Sequence, residues 1–139
     1  MVSSEGKSLI TNVVVFMDMR LESSLSIKEI CERFSISQSH LSHLFKRVYK
    51  VSPMKFMMLL KIERAKYLLQ NTSRTIYEIA YSLDFADSSY FCRVFKRITG
   101  VTPSKYRYLS NHQVTAYVEE EENVRPQESK NRYRADCMD

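Results

Sequence analysis

Glycine is nearly absent from this chain, at 2 of 139 residues, and proline is almost as rare at 3. Tight hairpin turns draw on both, so an all-β fold is disfavoured. The cysteines, Cys31, Cys92 and Cys137, are odd in number, far apart and form no C-x-x-C pair. They offer neither a disulfide framework nor a zinc site, and they fit a reducing, cytoplasmic compartment. No apolar run approaches the roughly 18 residues of a membrane span. The N-terminal "MVSSEGKSLITN" lacks the basic-then-apolar order of a secretory signal. No nucleophile stands beside a base, and no phosphate loop or metal spacing is found. Neither enzymatic activity, nor a cofactor, nor a membrane partner is therefore expected. His40 and His112 read as surface residues, because metal ligation would need partners the sequence does not supply.

What is present is a repeat, and a repeat can set the whole fold. "LFKRVYKVSP" (Leu44 to Pro53) returns as "VFKRITGVTP" (Val94 to Pro103). The full units are "SIKEICERFSISQSHLSHLFKRVYKVSPMKF", Ser26 to Phe56, and "TIYEIAYSLDFADSSYFCRVFKRITGVTPSKY", Thr75 to Tyr106. Ile27, Glu29 and Ile30 match Ile76, Glu78 and Ile79 at an offset of 49, whereas Phe45, Lys46, Arg47, Val51 and Pro53 match their counterparts at 50. One residue is inserted, and a turn around "SIS" against "FAD" is where a chain absorbs it most easily.

Each unit reads as two short helices about that turn. Ser26 with Glu29, and Thr75 with Glu78, have the spacing of capping boxes. Ser37 and Asp87 can cap the second helices, and Pro53 and Pro103 fit first turns capped by Ser52 and Thr102. The apolar spacing puts Ile27, Ile30, Cys31, Phe34, Leu41, Leu44, Phe45 and Val48 inward in one unit. Ile76, Ile79, Ala80, Leu83, Phe91, Val94, Phe95 and Ile98 do so in the other. Between the units, Pro53 to Asn71 has no breaker and is apolar on several sides, as expected of a buried joining helix. A first helix is expected over Leu9 to Leu21, with Val13, Phe16, Met17 and either Met19 or Leu21 packed.

Charge is uneven. Residues 1–110 carry 17 basic and 9 acidic side chains, and residues 111–139 carry 4 and 7. A basic body suggests a polyanionic partner. The acidic tail, with four consecutive glutamates at Glu119 to Glu122, reads as mostly disordered.

Two helices about a short turn, the second with a polar face, describe a helix-turn-helix. Such a second helix needs one face for its core and one for a DNA major groove. The outward positions are Gln38, Ser39, Ser42, His43 and Lys46, then Ser88, Ser89, Cys92, Arg93 and Lys96. A polar helix face alone is usually only solvated. Its recurrence at the same phase in both units favours the DNA reading. Arg93 has the planar fork that matches a guanine edge, and His43 could donate to a guanine or thymine acceptor. Lys46, Arg47, Lys96 and Arg97 suit phosphates, which give affinity without sequence information.

The stretch "AYSLDFADSSYFCRVFKRITGVTPSKYR", Ala80 to Arg107, resembles the signature of the DNA-binding domain of the AraC/XylS family of bacterial transcription regulators. "KIERAKYLL", Lys61 to Leu69, resembles that family's linker helix. The resemblance covers about residues 9–109. It implies an all-α fold of about seven helices: unit one over about 9–53, a linker helix over about 53–71 and unit two over about 74–110. The DNA-binding domain then fills residues 1–110 and the tail 111–139. It implies two recognition helices in successive major grooves of double-stranded DNA. The base-facing residues would be Ser39, Ser42, His43, Ser88, Ser89, Cys92 and Arg93. Family habit further suggests an activator that touches RNA polymerase. No effector-binding domain for a small molecule is expected in a chain of this length. There are departures: Ser35 and Asp84 stand where members commonly place glycine, Lys50 stands where unit two keeps Gly100, and Lys61 stands where many have arginine. A competing expectation is a helical protein-interaction module that binds another regulator or the polymerase without reading DNA.

Overall fold

A computed structural model describes residues 4–112, so the acidic tail beyond its first two residues lies outside the described residues. Seven helices follow in order: α1 (Ser4–Met19), α2 (Ile27–Phe34), α3 (Gln38–Tyr49), α4 (Pro53–Asn71), α5 (Ile76–Ser82), α6 (Ser88–Thr99) and α7 (Pro103–Asn111). There is no strand among the described residues. The chain divides into two compact units, the first ending at Lys61 and the second beginning at Ile62. The joining helix α4 therefore contributes its first half to one unit and its second half to the other.

In the first unit, α1 and α2 pack on α3. Val13, Met17, Ile30, Leu41 and Phe45 are fully or almost fully buried, as their spacing requires. Of the two alternatives at the end of α1, Leu21 goes inside and Met19 is 77% exposed. Helix α1 starts five residues earlier than the expected Leu9. Its polar opening carries no apolar periodicity, but Glu5 in the first turn suits the positive end of the helix dipole. Phe16 meets Phe34 edge-on at 5.7 Å, and the guanidinium groups of Arg20 and Arg33 lie over the Phe16 ring.

The second unit packs α5 on α6 and α6 on α7. Ile79, Leu83, Phe91 and Phe95 are sealed from solvent, and the second half of α4 adds Ile62, Ala65, Leu68 and Leu69. Arg107 of α7 ties this unit together. Its Nε donates to the Leu69 carbonyl at 3.0 Å, and a terminal nitrogen donates to that of Thr72 at 3.2 Å. These are orphan acceptors at the C-terminal end of α4, where a cation is also favoured by the dipole. Partial burial of Arg107 pulls its pKa down from the ordinary arginine value. A guanidinium nevertheless stays charged at neutral pH.

The helix starts follow the residues. Both capping boxes form: the Ser26 and Thr75 hydroxyls accept from the Glu29 and Glu78 N–H groups, whose carboxylates accept in return from the cap N–H groups. Ser37, Ser52, Asp87 and Thr102 also cap. Each such cap is worth about 1 kcal/mol.

The turns place the inserted residue. Ser35 (φ 53°) and Asp84 (φ 61°) both take the left-handed conformation. The next N–H closes the turn onto a helix carbonyl, Ile36 to Cys31 and Phe85 to Ala80, both at 3.0 Å. Up to Phe85 the two units therefore keep the offset of 49. The caps Ser37 and Asp87 are already at 50, so Ala86, an exposed residue, is the addition.

Candidate nucleic-acid interface

Helices α3 and α6 have the same length and share three buried positions. In α3, Leu41, Leu44 and Phe45 are buried. In α6, Phe91, Val94 and Phe95 occupy the matching positions. One arc of each helix is thereby committed to its own core, and the opposite arc is left to solvent.

The outward arc of α3 carries Ser39, His43, Lys46 and Arg47, all exposed, with Gln38 and His40 beside them. Ser42 is only half-exposed. On α6, Ser89, Arg93 and Arg97 are exposed, while Ser88 and Lys96 are partly covered. Both arcs start at a side-chain-capped N-terminus and end in a Lys-Arg pair in the last turn. A neutral hydrogen-bonding start and a cationic end suit an element that meets base edges first and phosphates beyond.

Cys92 requires a correction. Its spacing suggested a base-facing position, but it is 1% exposed and belongs to the core. At about 100° per residue, position 92 lies at the border of the arc centred between Phe91 and Phe95. Unit two is packed tightly enough there to enclose a thiol, which behaves as a small apolar group. The matching Ser42 of unit one stays half-exposed, so the same phase gives different results in the two units.

Sequence reasoning also missed two aromatic residues. Phe85, beside the turn, is buried against Phe91 at 5.0 Å. Tyr90, in the first turn of α6, has its ring 5.8 Å from the guanidinium carbon of Arg93. The cue was present: Tyr90 stands three residues before Arg93, where side chains on a helix meet. His40 and His112 are exposed, as expected, and His112 stacks on Tyr108 with ring centroids 4.2 Å apart. Among the described residues no helix is long and apolar enough to cross a membrane, and no cluster of three or more acidic, histidine or cysteine side chains could hold a metal ion.

A family model described as a helix-turn-helix domain matches residues 30–108. The chain is 32% identical over 113 residues to an uncharacterized HTH-type transcriptional regulator of Escherichia coli K12, YijO, covering 81% of this chain and 40% of that protein. It is 33% identical over 109 residues to the HTH-type transcriptional activator RhaR of Salmonella dublin, covering 78% of this chain and 39% of that protein. The chain thus spans about two fifths of the length of these relatives. Among solved structures it resembles an AraC-type DNA-binding transcriptional regulator from Chromobacterium violaceum. That match has a TM-score of 0.73 at 27% identity, over 78% of this chain and 96% of that one. With the duplicated helix-turn-helix and its linker helix, these likenesses place the chain in the AraC/XylS family of transcription regulators, as a carrier of its DNA-binding domain.

Proposed function

We propose that this chain is a sequence-specific regulator of transcription that binds double-stranded DNA through α3 and α6 and acts as an activator in the cytoplasm. The observation that carries the reading is the repeated outward arc of these helices, capped at its start and cationic at its end. In this reading the two helices enter successive major grooves, so a site spans roughly 20 base pairs with its two blocks about ten apart. Ser39, Ser42, His43, Ser88, Ser89 and Arg93 face bases, and Lys46, Arg47, Lys96 and Arg97 hold phosphates. Activation, supported by likeness to an activator of Salmonella dublin, would act through contact with RNA polymerase. The chain would do this work as a binding protein rather than an enzyme.

Selection of bound duplexes from a random pool tests the reading, followed by anisotropy titration of the winner. Arg93→Ala should cost about 1–3 kcal/mol and relax one base position. Lys46→Ala should weaken every sequence alike. Equal losses for both variants on selected and random DNA would refute this division of roles. A pool that yields no enrichment would favour a protein-interaction module.

A further inference from the structure

A short stack of rings runs from the core of the second unit to its outward face and ends on Arg93. Phe91 is fully buried, Phe85 meets it edge-on at 5.0 Å, and Tyr90 lies 6.0 Å from Phe85. The guanidinium carbon of Arg93 then stands 5.8 Å from the Tyr90 centroid. The two rings between Phe91 and Arg93 are anchored through the backbone. The Phe85 N–H donates to the Ala80 carbonyl at 3.0 Å, and the Tyr90 N–H to the Asp87 carboxylate at 2.7 Å. Unit one has no such stack, because Ile36, His40 and His43 occupy the matching positions.

We propose that Tyr90 is a positioning residue for Arg93 and thereby sets how sharply the second unit discriminates at one base pair. This rests on the base-reading role of Arg93 proposed above. An exposed arginine samples many rotamers, and a partner that needs one orientation must supply the ordering. The electron-rich face of a ring attracts the flat face of the guanidinium. The N–H groups lie in the guanidinium plane, so they stay available to a guanine edge while the face is held. The contact therefore orders the fork without consuming its donors. What it needs is a ring face, not a hydroxyl.

The test uses the whole chain and a fluorescein-labelled duplex selected from a random pool, with its single-base-pair variants at the position that Arg93→Ala relaxes. Tyr90→Leu keeps an apolar contact for Phe85 but removes the π face. It should reduce discrimination there by about two- to five-fold, leaving the salt dependence unchanged. Tyr90→Phe should discriminate like the parent, and Tyr90→Leu should add nothing in an Arg93→Ala background. An undiminished Tyr90→Leu effect in that background would overturn the proposal, because the ring would then be touching DNA itself. So would a Tyr90→Phe loss as large as that of Tyr90→Leu. Without DNA, the Arg93 δ-protons should show an upfield ring-current shift that Tyr90→Leu abolishes. An unshifted parent spectrum sinks this inference alone, whereas a shifted spectrum with an inert Arg93→Ala sinks the base-reading role and, with it, the proposed effect on discrimination.

Discussion

Ser35, Lys50 and Asp84 hold backbone conformations that glycine adopts more readily, with φ of 53°, 64° and 61°. The Cβ of an L residue crowds the following carbonyl there, at about 1–2 kcal/mol per residue. Aspartate tolerates the region better than serine or lysine. Ser35→Gly should therefore stabilise the first unit by about 0.5–1 kcal/mol, after allowing for the greater freedom of glycine in the unfolded chain. Urea denaturation would show it as a raised midpoint, and a lowered midpoint would mean that the Ser35 side chain contributes more than its strain costs. Cys92 invites a second residue-scale comparison. Since it is buried on the core side of α6, Cys92→Ala should cost about 1 kcal/mol of stability and leave base preference unchanged. A changed preference with normal melting would return this residue to the interface.

At the scale of elements, the helix starts were the most legible part of the chain. Serine, threonine, aspartate and proline act on their immediate neighbours, so Ser26, Ser37, Thr75, Asp87, Pro53 and Pro103 announce helices without tertiary help. Burial at the border of a helix arc is different. It depends on how closely other elements approach, and sequence spacing could not separate Cys92 from Ser42. Phe85 was hidden for a related reason: a residue beside a turn has no periodic partner to mark it as core. The capping box at the start of α5 also carries a pH signature. Hydrogen bonds from the Thr75 backbone and hydroxyl lower the pKa of Glu78. A depressed carboxylate contributes stability that is present at neutral pH and is lost as pH falls through its folded-state value. Glu78→Gln should therefore flatten the acid limb of a stability-against-pH curve below about pH 4.5. An acid limb identical to the parent's would show that the box contributes nothing through its charge.

For the whole molecule, the governing feature is the concentration of positive charge in residues 1–110, whose net charge is +8. Neutralised phosphates release counterions, so binding should weaken steeply with salt. Replacing Lys46, Arg47, Lys96 and Arg97 together with glutamine should flatten the slope of log affinity against log salt by about 3 to 4. Anisotropy titrations on random-sequence DNA at several potassium chloride concentrations would measure it. An unchanged slope would move the phosphate contacts to other elements.

The exposed ring of Tyr90 gives the molecule an optical handle. The chain has no tryptophan, so its near-ultraviolet emission comes from tyrosine alone. An indole is the strongest of the aromatic partners for a guanidinium. Placed at position 90 it would keep the face that Arg93 leans on and be the single fluorophore of its kind. The absence of tryptophan thus lets a single indole report events at the start of α6 with no second indole to confuse its signal.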